Sequence, residues 1–248
     1  MSLLNFKFLD TAVLNHGLDP FKWHPVVNKQ ARNLSLRVEF NGSVKLIIPP
    51  HAELSEIKSF VRENLDWIAK SRAYYASRIK NHDLLPREIF LRATNSVVKV
   101  IYSQCSKDRT PYWGQDEDNL YLRAPIINQD LCWPLLKDWL KLTARNTLRK
   151  QLNDLAKKVN LTPKKLQIRL QKSRWGSCSS LATISLNAAL MLRPLDEVDY
   201  VIIHELCHLK HMNHSSKFWK MVSVYSPQYK RFDHSLNEAW KDMPYWLL

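Results

Sequence analysis

The sequence predicts a mixed α+β fold with a β-rich N-terminal half, which contains one helix, and a C-terminal half built around a histidine-bearing helix. Short alternating apolar and polar runs dominate before residue 128, and apolar residues at helical spacing dominate after it. Only four glycines stand against nine tryptophans and nine tyrosines, which favours well-packed elements over low-complexity coil. We therefore expect two domains, 1–128 and 129–248.

The N-terminal domain is predicted to begin with a hairpin and a helix. Residues 32–50 alternate apolar and polar side chains around Asn41-Gly42, a dipeptide that favours a tight hairpin turn. Apolar residues from Ser55 to Ile79 recur at helical spacing without proline or glycine, which predicts an amphipathic helix. Short β-like runs return between residues 88 and 122.

The C-terminal domain is predicted to begin with a long helix. From Trp133 to Val159 a stripe of leucines at helical spacing predicts that helix, and residues 166–170 and 183–186 are predicted strands that flank a loop. We interpret a basic residue at every fourth position of the helix as a solvated face, with a ridge that follows phosphates as the alternative. These residues are Lys137, Lys141, Arg145 and Arg149.

Charge and composition limit the partners. The chain has 37 basic and 23 acidic side chains, which give a net charge of +14. Nucleic acid is therefore a candidate partner, although a basic surface that is merely solvated is the simpler interpretation. The longest uncharged stretch, Trp175–Leu192, is too polar for a membrane helix. Residues 1–17 lack signal-peptide features, and the scattered cysteines form no Cys-x-x-Cys pair, so we expect a cytoplasmic protein without membrane contact. The oligomeric state is left open.

The strongest functional signal is the segment His204-Glu205-Leu206-Cys207-His208. Two histidines four residues apart on a helix share one face and can bind one zinc ion, while Glu205 lies beside the metal, where it can activate a zinc-bound water. The motif is embedded in an otherwise apolar helix, which is normally buried. Burying these polar groups without partners would cost several kcal/mol, so a bound metal explains the pattern.

A catalytic zinc usually has three protein ligands, and His214 is the predicted third. Asn213 can adopt the left-handed conformation that ends a helix, and Ser215 or Ser216 can cap the next helix, so the chain is expected to turn back there. The spacing matches that of the metzincins, but His211 stands where that class has glycine, which argues against membership. His211 is the alternative third ligand.

Three segments resemble the YgjP-like metallopeptidases, a family related to the SprT-like and WLM-domain proteins. Residues 199–208 followed by 213–219 are similar to the metal signature of the family, and residues 174–179 with 184–187 are similar to its second signature. The third segment, 32–67, is similar to its N-terminal hairpin and helix.

The resemblance implies a zincin-like catalytic domain that hydrolyses peptide bonds with Zn²⁺ as cofactor and a peptide or protein as substrate. It supports His204, His208 and His214 as ligands and Glu205 as the catalytic acid/base. The loop before the strand at residue 183 is where such a fold places an edge strand for extended substrate. Candidate substrate-binding residues are Arg174, Trp175, Ser177 and Tyr225. Arg174, Tyr225, Tyr229 and His234 are the candidates for a second oxyanion donor.

Three other functions are compatible with the same residues. The first is a SprT-like protease recruited to DNA through the basic surface. The second is a metal-dependent phosphoanhydride or nucleotide hydrolase that grips phosphates with basic side chains. The third is a zinc-stabilised nucleic-acid-binding module without catalysis.

Overall fold

A computed structural model describes residues 23–39, 42–79 and 85–247, and it confirms the mixed α+β class. By its internal contacts the chain divides into two units, Met1–Asp83 and Leu84–Leu248. Asn41 of the predicted hairpin turn and the first 17 residues lie outside the described part. Within that part, no helix combines the length and apolar character that crossing a bilayer requires.

The first unit contains a three-stranded sheet in the order β1-β3-β2. Strands β2 (Ser35–Val38) and β3 (Val44–Ile48) are antiparallel and confirm the predicted hairpin. Strand β1 (Trp23–Val27) pairs in parallel with β3 and was not predicted, because its pairing partner lies about 20 residues away and leaves no local pattern.

Two helices cover this sheet, where the sequence predicted one. Helix α1 (Leu54–Glu63) ends at Asn64, and α2 (Leu65–Ile79) follows at once. The side-chain amide of Asn64 donates to the Phe60 carbonyl at 2.8 Å and so takes the place of the regular helical hydrogen bond from the Asn64 backbone, which accounts for the break. The core between sheet and helices consists of Val38, Val44, Leu46, Ile48, Ile57, Val61, Leu65 and Ile68.

The second unit begins with a four-stranded sheet in the order β4-β5-β7-β6. One face of this sheet is buried against helix α3 (Gln129–Val159), which Asn128 caps by accepting a hydrogen bond from the Leu131 amide at 3.1 Å. The buried Trp139 indole donates to Gln115 at 2.7 Å and so ties the helix to the sheet. The strands are β4 (Glu88–Leu91), β5 (Ser96–Gln104), β6 (Tyr112–Gln115) and β7 (Asn119–Ala124).

The observed division of the chain at Leu84 differs from the boundary predicted between residues 128 and 129. Sheet β4–β7 and helix α3 bury apolar surface against each other and therefore fall in one unit, although a β-rich segment followed by a helical one resembles two domains in the sequence. A functional division at residue 128 stays a prediction.

A third sheet, in the order β8-β10-β9, leads into the remaining helices. Strand β10 (Thr183–Asn187) runs parallel to β8 (Lys165–Arg169) and antiparallel to β9 (Gly176–Cys178), a short edge strand in the segment predicted as a loop. A 3-10 helix, Ala188–Leu192, follows β10. The helices after it are α4 (Leu195–His208), α5 (Ser216–Tyr225) and α6 (Tyr229–Ala239), and two 3-10 turns, Trp240–Asp242 and Tyr245–Leu247, complete the described chain.

A buried polar network joins the first turn of α4 to α6. Arg193 donates to Glu197 at 2.7 Å, and the Ser235 hydroxyl donates to the other Glu197 oxygen at 2.7 Å. We expect Glu197→Ala to lower the free energy of unfolding by about 1–3 kcal/mol, because it leaves the partly buried Arg193 guanidinium and the Ser235 hydroxyl without their shared acceptor. Urea denaturation followed by circular dichroism measures this change.

The matched control is the exposed ion pair between Lys241 and Glu238, whose atoms approach to 2.6 Å. Glu238→Ala is expected to leave the unfolding free energy nearly unchanged, since exposed ion pairs contribute little. Equal losses for Glu197→Ala and Glu238→Ala would show that the buried network does not stabilise the junction of α4 and α6.

Candidate active site

Helix α4 brings together three polar side chains in an otherwise apolar environment. Its Val201, Ile202, Ile203, Leu206 and Cys207 are buried, as the sequence predicted for this segment. His204 and His208 are one turn apart, and their ring centroids lie 5.0 Å from each other. The helix therefore presents two imidazoles on the same face.

The turn after α4 returns His214 to this pair. Its Nε2 lies 3.1 Å from the Nε2 of His204, and one ring nitrogen from each of the three histidines can be chosen so that all lie within 4.8 Å of one another. Ser215 caps α5 as predicted, because its hydroxyl accepts a hydrogen bond from the Phe218 amide at 3.4 Å. The predicted convergence of the three imidazoles is present in the structure.

Two details of the turn differ from expectation. Asn213 is not among the non-glycine residues with positive φ in the described chain, which are Asn95, Asn160 and Ala182. Instead, a contact between the Nδ1 of His208 and the backbone carbonyl of His211, at 3.0 Å, closes the turn. The His211 side chain is not part of the histidine cluster. This residue therefore orients a candidate ligand through its backbone.

The environment of the three imidazoles suits a divalent cation. Burial lowers the pKa of His204 to about 3, with His208 and His214 adding to the effect, and burial also lowers the pKa of His208. Neutral imidazoles have a lone pair free for a metal, and the Nδ1 contact of His208 leaves its Nε2 available. Three such nitrogens at this spacing fit zinc or a related transition metal.

Glu205 lies against the backbone of strand β9. A Cβ added to Gly176 would lie 2.6 Å from the Oε1 of Glu205, so only glycine permits this approach. In the described chain no partner lies within hydrogen-bonding distance of the buried Oε2 of Glu205. Burial raises the pKa of Glu205 to about 8, and the nearby Arg174 guanidinium opposes this rise. One oxygen of the carboxylate thus lies against the backbone of Gly176, and the other has no hydrogen-bond partner among the described residues.

Gly176→Ala is expected to lower kcat/KM for the peptide hydrolysis predicted from the sequence by about 100-fold while metal content is unchanged, because it moves the Glu205 carboxylate by about 1 Å. Activity on a cleaved library peptide and metal analysis of the purified variant measure the two quantities. Gly114→Ala is the matched control, since a Cβ at that position meets nothing within 4 Å. A Gly176→Ala enzyme of full activity contradicts the argument.

A polar cavity of about 180 Å³ lies beside His204 and Glu205. Strand β9 and the residues before it form one wall, and helix α6 forms another. The Trp175 indole donates to the Leu236 carbonyl at 3.0 Å and stacks on Trp240 with ring centroids 4.4 Å apart, which attaches α6 to this wall. The lining residues include Arg174, Gly176, Tyr200, Glu205, Asp233 and Asn237.

Two of the four predicted substrate-binding residues line the cavity and two do not. Arg174 and Trp175 line the cavity. Ser177 lies on edge strand β9, paired with Ser185 of β10. Tyr225 ends α5 and is not among the residues that line the cavity. Whether any of the four contacts substrate stays a prediction.

Several residues at the site were not assigned roles from the sequence. Phe218 is fully buried and stacks on His208 with ring centroids 4.5 Å apart. Trp219 stacks on His214 at 5.4 Å and on Tyr229 at 5.2 Å, which extends the cluster to helix α6. The Tyr200 hydroxyl donates to Asp233 at 3.1 Å. The sequence could have indicated Phe218 and Trp219, because they lie only four and five residues after His214. It could not have indicated the contacts of Tyr229 and Asp233 from α6, because these form only in the folded chain.

A paired histidine motif on a buried helix, a third imidazole from the next turn and a buried carboxylate beside them define a metallopeptidase-type site. Residues 32–239 match the protein family described as "YgjP-like, metallopeptidase domain". The chain therefore belongs to the YgjP-like metallopeptidase family, which implies a peptidase with a divalent metal and a peptide or protein substrate.

Two solved structures show local similarity. The metallopeptidase zymogen of Pyrococcus abyssi abylysin is 27% identical, with 36% of this chain and 90% of that chain covered and a TM-score of 0.34. The zymogen of Methanocaldococcus jannaschii jannalysin is 21% identical, with 37% and 95% covered and a TM-score of 0.34. No curated protein shows significant sequence similarity.

Proposed function

We propose that this protein is a zinc-dependent metallopeptidase in which His204, His208 and His214 hold the metal and Glu205 transfers the proton. One observation carries the proposal: three imidazole nitrogens lie within 4.8 Å of one another, and a buried carboxylate follows the first of them in the sequence. A structural histidine cluster would not require an adjacent buried acid with an unpaired oxygen.

Zinc is the proposed metal because three neutral imidazoles with a fourth position left open are typical of catalytic zinc sites. When bound, zinc supplies Lewis acidity, which lowers the pKa of water and polarises a carbonyl. The chain itself provides the ligand geometry, since α4 fixes His204 and His208 and the capped start of α5 fixes His214. The rings of Phe218 and Trp219 pack against the imidazoles and restrict their rotation.

Glu205 is the proposed general base and acid. Its Oε1 lies against Gly176, so the unpaired Oε2 is the atom proposed to take the proton from the attacking water. The same oxygen would then return the proton to the leaving amine, because one positioned side chain can act first as the base and then as the acid. Because the carboxylate is buried, bulk water does not compete for this proton.

Strand β9 is the proposed backbone platform for the substrate. It pairs with β10 along one side and forms the edge of its sheet, so its other side can accept an extended peptide by strand addition. Gly176 on this strand contacts Glu205, which would bring a bound peptide past the acid/base. The adjacent cavity is large enough for one side chain of the substrate.

Arg174 and Tyr229 are the proposed candidates for a second oxyanion donor. Arg174 lines the cavity and lies close enough to Glu205 to act on its charge. Tyr229 stacks on Trp219, which stacks on His214. Of the four sequence candidates, only Arg174 lines the cavity, and Tyr225, Tyr229 and His234 do not.

A cytoplasmic location is also proposed. All four cysteines are free thiols, two of them buried, and this supports a reducing compartment.

Metal removal tests the proposed function directly. The purified protein is expected to contain about one zinc per chain and to cleave members of a peptide library. Treatment with 1,10-phenanthroline should abolish cleavage, and added Zn²⁺ should restore it, because the metal provides the Lewis acidity. Mass spectrometry of the library and atomic absorption measure the two properties. Zinc-dependent phosphate release from ATP without any peptide cleavage would instead support the phosphoanhydride hydrolase.

A further inference from the structure

The sheet formed by β4–β7 has one buried face and one exposed face. Strand register identifies the exposed side chains: Phe90 is opposite Val97, Ile101 is opposite Tyr121, and Arg123 is opposite Tyr112. The alternate residues Val98, Val100, Leu120 and Leu122 are buried on the α3 side. We call the exposed side the open face. It comprises Glu88, Phe90, Arg92, Val97, Lys99, Ile101, Tyr112, Tyr121 and Arg123.

The open face exposes more apolar surface than a solvated sheet requires. Phe90 is 45% exposed, Val97 51%, Ile101 41% and Tyr112 38%. In the sheet these side chains follow a diagonal from the end of β4, across β5 and β7, to the start of β6. A contiguous set of exposed apolar and aromatic groups on a folded domain indicates an interaction surface.

Cations accompany the aromatic rings along this diagonal. The Arg92 guanidinium lies over the Phe90 ring, 5.9 Å from its centroid. Arg123 lies 5.9 Å from the centroid of Tyr112 and donates to its hydroxyl at 3.3 Å. The exposed Lys99 lies between these two pairs. Both arginines thus contact aromatic rings, and their positive charge remains available to an anion.

Hydrogen bonds hold the side chain of Tyr121, in the middle of the open face, in one position. The Tyr121 hydroxyl donates to Asp116 at 2.7 Å, and Asp116 also accepts the backbone amides of Asp118 and Asn119. These bonds direct the Asp116 carboxylate into its own turn and hold the Tyr121 ring. Gly114 lies opposite Tyr121, and a Cβ there would meet nothing within 4 Å, so no side chain from that position covers the Tyr121 ring.

We propose that the open face binds single-stranded nucleic acid, with bases stacked on Phe90, Tyr121 and Tyr112 and phosphates neutralised by Arg92, Lys99 and Arg123. Single-stranded binding surfaces combine aromatic platforms with cations in this way. The seven residues from Val97 to Ser103 span about 20 Å, enough for on the order of four nucleotides. Glu88 is opposite Lys99 and places one negative charge beside these cations. The net charge of the whole chain is +14, which still favours a polyanion as the partner. The proposal does not depend on the peptidase activity.

Fluorescence anisotropy with the full chain tests the proposal. The probes are fluorescein-labelled oligothymidylate and oligouridylate of about 20 nucleotides, which separate DNA from RNA as the ligand. The double variant Arg92→Gln/Arg123→Gln is expected to weaken binding at least about 10-fold and to lower the slope of log affinity against log salt by about 1.4. Tyr112→Leu keeps the apolar bulk but removes the ring, and should weaken binding at least about 5-fold.

The matched control is Arg145→Gln/Arg149→Gln on helix α3, which removes the same charge from the other basic surface. Its affinity should remain within about 2-fold of that of the wild type, and circular dichroism should show that all variants are folded. The proposal is overturned if the α3 variant loses as much affinity as the open-face variant, or if the wild type binds neither probe. It is also overturned if sedimentation shows that Tyr112→Leu dissociates a dimer, since the open face would then bind a second copy.

Discussion

Glu205→Gln is expected to retain the metal and to lower kcat/KM for peptide cleavage by about 10²–10⁴-fold. Glutamine has nearly the same shape as glutamate, so the contact with Gly176 and the burial are preserved. Its amide cannot take a proton from the attacking water. Metal analysis and peptide-cleavage kinetics, measured on the same preparation, separate this loss of chemistry from a loss of the metal.

Glu238→Gln is the matched control for this substitution, because Glu238 is an exposed acid on α6 that pairs with Lys241. It should leave kcat/KM unchanged. If Glu205→Gln were as active as the wild type, the assignment of Glu205 as the acid/base would be wrong. If the wild type released phosphate from ATP but cleaved no peptide, and Glu205→Gln abolished that release, the phosphoanhydride hydrolase would be the better description.

His214→Ala is expected to weaken zinc binding by more than about 100-fold and to abolish peptide cleavage. Even changes in residues that only support a ligand weaken metal binding by about 10- to 100-fold, so loss of a direct ligand should exceed that range. Competition with a chromophoric chelator measures the affinity. Because the His214 side chain is exposed, the variant should fold as the wild type does, which circular dichroism checks.

His211→Ala is the informative control because it separates the two histidines between which the sequence could not fully decide. His211 contacts His208 through its backbone carbonyl, which alanine retains. Its zinc affinity should therefore stay within about 10-fold of the wild type. The reverse result, with His211→Ala losing zinc and His214→Ala keeping it, would refute the proposed ligand set.

The sequence predicts those parts of the protein that depend on local pattern. The β2–β3 hairpin, helix α3 and the buried character of α4 follow from apolar periodicity over a few turns or strands. The convergence of His204, His208 and His214 could also be predicted, because all three lie within 11 consecutive residues and one turn joins them.

Other features depend on contacts between distant segments and leave no such pattern. Strand β9 is three residues long, too short for an alternation to be recognised, and it forms because β10 provides its partner. The approach of Gly176 to Glu205 joins residues 29 positions apart. Likewise, the Trp175 contact with α6 bridges 61 positions, so the cavity wall could not be anticipated. The break at Asn64 depends on one side-chain hydrogen bond that the surrounding helical pattern conceals.

The brevity of β9 has a consequence for selectivity. If β9 is the substrate platform proposed above, its three residues can offer a peptide only a few main-chain hydrogen bonds, so little of the recognition would come from a long consensus. Discrimination would then depend on one or two side chains next to the cleaved bond, and unstructured segments of many different proteins would qualify. The same short edge also gives other strands little to attach to, which protects the folded enzyme from edge-to-edge aggregation.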